Sequence, residues 1–119
     1  MKDIDDRATM ELPIGEFGAP SNDIDVLALE VFEWAETTFP NRTDSSLFLK
    51  AYEEMAELIR SDGSPLELAD VFILFLDYAV RKDIRLSVAI RAKLEINYHR
   101  RWTINPSGTM SHIKGKNDE

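Results

Sequence analysis

The chain has 119 residues, a formal net charge of −8, 44% hydrophobic and 30% charged residues, and no cysteine. That length supports one domain with a modest core, the lack of thiols excludes disulfides and thiolate metal sites, and the acidic balance argues against binding DNA or RNA, whose phosphates it repels. The longest apolar run, Val71 to Leu76, stops at Asp77, far short of the roughly 20 residues that span a bilayer, and the acidic start MKDIDDRATM lacks an apolar leader core, so a cytoplasmic protein without membrane contact is expected.

Residues 1–22 carry Pro13, Gly15, Gly18 and Pro20 with no sustained period and are expected to form an extended N-terminal arm. A first helix begins at Asn22 or Asp23. Val26, Leu27, Leu29, Val31, Phe32 and Trp34 give it an apolar face, and Pro40-Asn41 ends it. Trp34 serves there either as core or as a stacking platform.

Thr43 or Asp44 caps a second helix that runs to about Ser61. Phe48, Tyr52, Met55 and Ile59 recur at i, i+4, i+7 and i+11 and are expected to face the core. Glu53, Glu54 and Glu57 fall on the adjoining stripe, where Lys50 and Arg60 offer the bland alternative of surface ion pairs. Asp62-Gly63 stops this helix, and Ser64-Pro65-Leu66-Glu67 starts the next with an N-cap, a proline at the first position and an acid where a capping box wants one.

The third helix extends from Pro65 to about Arg81. Glu67, Asp70, Val71, Leu74 and Tyr78 share one face, which sets two acids within an apolar stripe where charges are rarely left unpaired. Asp77, one turn on, either contacts a ligand or pairs with a basic residue. A fourth helix follows from about Ile84 to Trp102, with Lys93, Asn97, Arg100 and Arg101 at i, i+4, i+7 and i+8. A cationic last turn is also what a helix dipole favours. Asn105 to Gly108 make a turn, TMSHIK a short extended piece, and residues 105–119 a C-terminal tail.

The short turn between the second and third helices folds them back on each other, so the pairs Glu54/Glu57 and Glu67/Asp70 converge. Two carboxylates about 5 Å apart at an effective dielectric of about 20 repel by about 3 kcal/mol. Either the side chains splay into water, or they take up protons, or a divalent cation sits among them. We adopt the last reading, and an all-oxygen donor set suits Mg²⁺, or Mn²⁺ in its place, rather than zinc.

The order E-x-x-E, turn, E-x-x-D, carried by EEMAEL (Glu53 to Leu58) and ELADVFIL (Glu67 to Leu74), resembles the signature of the MazG-like all-α nucleoside triphosphate pyrophosphohydrolases. FPN…LKAYEEMAEL and KLEINYHRRW look most like their dATP/dGTP diphosphohydrolase branch, and the likeness covers about Asp25 to Trp102. The spacer between the acid pairs is shorter than in the broad family pattern. The resemblance implies an all-α bundle of four to five helices over residues 23–104, assembled as a homodimer or homotetramer, in the host cytoplasm if phage-encoded. It implies a purine deoxynucleoside triphosphate, dGTP or dATP, as substrate, converted to the monophosphate and pyrophosphate. Glu54, Glu57, Glu67 and Asp70 are then the expected metal ligands. Glu53 stands beside them to orient or deprotonate water, with Glu54 counted alongside it as catalytic. The family's K-x-x-x-N-x-x-R pattern falls on Lys93, Asn97 and Arg100 as phosphate contacts; apart from the resemblance, Asp77 and Trp34 are candidate substrate contacts by position, beside the alternatives of a basic partner and of core packing.

Other carboxylate-rich helical classes are excluded by inspection. Neither His99 nor His112 stands three residues after a glutamate, as a ferritin-type di-iron bundle requires, and no EF-hand loop, P-loop, G-x-G-x-x-G or G-x-S-x-G occurs. Pyrimidine, damaged-nucleotide or phosphoribosyl-ATP hydrolysis remain alternatives within the enzyme class. A non-catalytic acidic interaction module is the alternative outside it.

Overall fold

The computed structural model describes residues 23–114. The expected N-terminal arm, residues 1–22, and the end of the tail, residues 115–119, lie outside the described residues. Four helices and a hairpin follow in order: α1 (Ile24–Thr38), α2 (Asp44–Arg60), α3 (Pro65–Arg81), α4 (Leu86–Tyr98), β1 (Arg101–Ile104) and β2 (Met110–Ile113). They form two compact units, one ending at Leu86 and the other beginning at Ser87. Among the described residues no helix is long and apolar enough to cross a membrane.

Local chemistry sets the helix ends in the first unit. The Asp23 carboxylate accepts from the N–H groups of Asp25 and Val26 at 2.9 and 3.3 Å, and Thr43 exchanges bonds with Ser46 in a reciprocal capping box. Ser64 is the N-cap of α3 and Pro65 its first residue, but the expected box with Glu67 is not formed, since the Ser64 hydroxyl makes no cap bond to the first turn. Both α2 and α3 end in a Schellman motif. Gly63 N–H reaches Leu58 O at 3.5 Å and Asp62 N–H reaches Ile59 O at 3.2 Å, while Ile84 N–H reaches Ala79 O at 2.8 Å and Asp83 N–H reaches Val80 O at 3.0 Å. The residue after each cap is an aspartate in the left-handed region, Asp62 at φ 56° and Asp83 at φ 58°.

Helix α3 is the shared partner, packing on both α1 and α2. The buried apolar side chains are Ala28, Ala35, Leu47, Ala51, Val71, Leu76 and Ala79, so small residues dominate the contacts and allow close approach of the axes. The stripe expected to face the core on α2 does not. Phe48, Tyr52 and Ile59 are exposed and Met55 is half-buried, while Leu47 and Ala51 are buried in their place. On α1, likewise, Leu29 and Trp34 are exposed, and Ala28 and Ala35 make the contact. Asp44, in the first turn of α2, pairs with Arg81 at 3.1 Å and Lys82 at 2.5 Å. The start of α2 therefore meets the end of α3, and the two helices are antiparallel.

In the second unit the fourth helix is shorter than expected, ending at Tyr98, and Arg101 to Ile104 leave it as a strand. β1 and β2 pair antiparallel, Trp102 opposite His112 and Ile104 opposite Met110. The turn between them is held by Asn105 N–H to Thr109 O at 2.6 Å and by Gly108 at φ 88°, a conformation glycine adopts without steric cost.

Candidate metal and nucleotide site

The antiparallel α2/α3 pair brings three of the four expected metal ligands together. Glu54, Glu67 and Asp70 each offer an oxygen, and these oxygens lie within 4.8 Å of one another. Oxygens on opposite sides of a magnesium ion stand roughly 4.2 Å apart, so a small side-chain adjustment closes the set around one hard cation. The donor chemistry fits Mg²⁺ or Mn²⁺.

Glu57, the fourth expected ligand, is not in this group. Its carboxylate is taken by Arg60 in an exposed i,i+3 pair, and Glu53 is exposed on the same helix. Lys50 pairs with Glu54 at 3.3 Å. Both surface pairings foreseen as the bland alternative for α2 are thus present, yet Glu54 turns inward, with its side chain only 16% exposed. The Lys50 ammonium is held above its ordinary pKa, first by the hydrogen bond to Glu54 and next by the field of Glu53.

A cleft of about 690 Å³ opens beside the acids and shares Glu54 and Asp70 with them. Val31, Leu47, Ile73 and Leu74 supply apolar walls, and Trp34 and Phe39, which meet edge to face at 5.5 Å, line it as well. Apolar walls with several polar and charged side chains at the rim suit a small-molecule site. Trp34 is half exposed here rather than core.

Asp77 also borders the cleft, but its carboxylate is engaged by a basic residue. Arg42 Nε donates to Oδ2 at 2.6 Å and Nη2 to Oδ1 at 2.7 Å, with both side chains almost fully buried. The pair raises the Arg42 pKa further above its already high value, chiefly through the hydrogen bond to Asp77. Arg42, Asn41 and Lys50 all line the cleft; the sequence points to Lys50 only as a surface ion-pair partner of the α2 acids, and to neither Arg42 nor Asn41 as a site residue. An arginine 35 residues from its partner carries no periodic signal, whereas Lys50 was legible as the residue one turn before Glu54.

Lys93, Asn97 and Arg100 lie in the second unit, the first two on α4. Arg100 Nη1 approaches Asn97 Oδ1 at 3.5 Å, and Trp102 Nε1 donates to the Asn97 carbonyl at 3.1 Å. The Arg100 Nε is buried with no hydrogen-bond partner.

Comparison with known proteins extends this geometry. The model of the dATP/dGTP pyrophosphohydrolase family matches residues 27–119. A dATP/dGTP diphosphohydrolase of Cyanophage S-2L is 43% identical over 91 residues, which is 75% of this chain and 87% of that protein. One from Salmonella phage PMBT28 is 40% identical over 81 residues, 67% of this chain but 28% of that longer protein. Among solved structures, the Cyanophage S-2L MazG-like pyrophosphohydrolase bound to dGDP and three catalytic Mn²⁺ ions per active site is similar at a TM-score of 0.73 and 40% identity, covering 79% of this chain and 100% of that one. With the match spanning most of its length and the acid cluster set beside an apolar cleft, the chain belongs to the dATP/dGTP pyrophosphohydrolase family and has the MazG-like fold.

Proposed function

We propose that the protein hydrolyses a purine deoxynucleoside triphosphate, dGTP or dATP, to the monophosphate and pyrophosphate, with Mg²⁺ or Mn²⁺ as cofactor. The observation that carries this reading is the sharing of Glu54 and Asp70 between a three-carboxylate cluster and a cleft of about 690 Å³ with aromatic walls. An acidic chain repels a triphosphate unless bound cations reverse the local sign, and the cluster is the place where they would sit.

In this reading Glu54, Glu67 and Asp70 hold the cation, and Glu57 joins by releasing Arg60, an exposed pair of the kind that contributes little to stability. A divalent cation there supplies neutralisation of the phosphate oxygens and a water acidic enough to attack near neutral pH. Glu53, next to Glu54 on α2, would be the carboxylate to orient the attacking water or take its proton. Trp34 and Phe39 give the base an aromatic surface in the cleft. Lys93, Asn97 and Arg100 are kept as candidate phosphate contacts on their K-x-x-x-N-x-x-R spacing alone. Asp77, engaged by Arg42, is not assigned direct substrate contact.

We also infer a homodimer or homotetramer. Tyr52, Ile59, Leu68 and Phe72 are large apolar residues exposed on α2 and α3, Ile59 to 79%, and such a surface marks an interface. Light scattering at micromolar concentration is expected to give two or four chain masses, and a monomer would contradict it. The activity is tested by incubating the protein with each dNTP and ribonucleotide in Mg²⁺ and separating the products. Equal amounts of monophosphate and pyrophosphate from dGTP or dATP are expected, and orthophosphate alone, or no product, would overturn the reading.

A further inference from the structure

Asp77 is the most deeply buried charged residue among those described, 2% exposed, and the hydrolytic reading leaves it without a task. Its partner Arg42 does more than neutralise it. While Nε and Nη2 grip Asp77, Nη1 donates to Glu36 Oε1 at 2.9 Å and to the Phe39 carbonyl at 3.3 Å, and the guanidinium lies 5.4 Å from the centre of the Phe32 ring. A bidentate arginine–carboxylate contact fixes orientation as well as distance. The loop joining α1 to α2 is therefore tied to α3 at Arg42 and held at Phe39 by the same side chain. Pro40 restricts the backbone between them.

What this loop presents is Asn41, exposed, lining the cleft together with Phe39 and Pro40. Among the described residues its amide makes no hydrogen bond. A carboxamide offers a donor and an acceptor side by side, the pattern that pairs with a purine edge. The acids Glu54 and Asp70 take the phosphate side through cations, which leaves the aromatic walls and the neutral amide for the base.

We propose that Arg42, gripped by Asp77, is a positioning residue that fixes residues 39–41 as one wall of the cleft, and that Asn41 on that wall reads the purine. The proposal rests on the pyrophosphohydrolase reading above and adds which loop selects the nucleotide. Arg42→Lys keeps the charge but loses the fork, and Asn41→Ala removes only an exposed side chain.

The test compares both variants with the unaltered protein on dGTP and dATP in Mn²⁺, and follows the Mn²⁺-induced rise in melting temperature separately. Each variant is expected to raise KM about tenfold with kcat changed less than about threefold, the signature of lost binding rather than lost chemistry. Asn41→Ala is expected also to shift the ratio of kcat/KM between dGTP and dATP. The Mn²⁺ response stays intact in both, because Glu54, Glu67 and Asp70 are untouched. If Arg42→Lys lowers the melting temperature and leaves KM alone, the pair is scaffold only and the positioning role is overturned. If Asn41→Ala leaves KM and the ratio unchanged, base reading by Asn41 is overturned, and that arm decides alone should Arg42→Lys fail to fold. An inactive unaltered protein would overturn the hydrolytic reading itself, an outcome distinct from active variants that match it.

Discussion

Lys50 Nζ lies 3.3 Å from Glu54 Oε1, one helical turn away, where both side chains line the cleft with Asp70. Any cation that binds Glu54 competes with this ammonium, whose pKa is raised above its ordinary value first by the hydrogen bond to Glu54 and then by the charge of Glu53. Lys50→Met is expected to tighten Mn²⁺ binding by roughly twofold to fivefold, the scale of an exposed ion pair. Calorimetric titration of Mn²⁺ into both proteins checks this, and weaker binding in the variant would mean that Lys50 supports the metal site instead of opposing it.

Acid stability depends on the seam between α2 and α3. Asp44 is held below the usual carboxylate pKa of 3.8, first by its hydrogen bond from Lys82 and then by Arg81. A lowered folded-state pKa means that the ionised group stabilises the fold at pH values above the unfolded pKa, and that this contribution disappears as pH falls through the lower folded value. The melting temperature is expected to fall more steeply below about pH 4 in the parent than in Asp44→Asn, and to be lower in the variant at pH 7. Parallel acid limbs for the two proteins would contradict the assignment.

Two helices stop on an aspartate with positive φ, and only one of these aspartates is followed by glycine. At Asp83 the backbone already makes both Schellman bonds, so replacing it by glycine removes steric cost without disturbing the motif. Asp83→Gly is expected to stabilise by about 0.5–1 kcal/mol, a rise of a few degrees in melting temperature. A fall would show that the aspartate side chain contributes more than its backbone costs.

Helix ends were legible in the chain because their causes are local. Asp23, Thr43, Asp62-Gly63 and Pro65 act within four residues, and the structure uses each where the sequence puts it. Helix faces were less legible. Phe48, Tyr52 and Ile59 give the stronger periodic signal on α2, yet Leu47 and Ala51 are buried, because alanines add little to a hydropathy pattern while permitting the closest contact between helices. The same effect hid Ala28 and Ala35 behind Leu29 and Trp34. The expected end of α4 at about Trp102 overlaps strand β1 by Arg101 and Trp102, because only pairing with residues 110–113, remote from the helix, makes them strand.

The acid cluster was legible because a turn of four residues, 61–64, fixes how α2 and α3 face each other, so that Glu54, Glu67 and Asp70 meet. Arg42–Asp77 was not, because the partners are separated by the whole of α2 and most of α3. Glu57 sits one turn from Glu54 but pairs outward to Arg60. Spacing told which residues share a helix face, and the rotamers chosen by neighbouring cations decided which of them point inward.

Metal-dependent pyrophosphate release decides the central claim. The protein with dGTP and Mg²⁺ or Mn²⁺ is expected to yield dGMP and pyrophosphate in equal amounts, and Glu54→Gln with Asp70→Asn is expected to lose at least about a hundredfold of that rate together with the Mn²⁺-induced rise in melting temperature. Full activity in the doubly substituted protein, or release of pyrophosphate that chelation of divalent ions does not stop, would contradict the account.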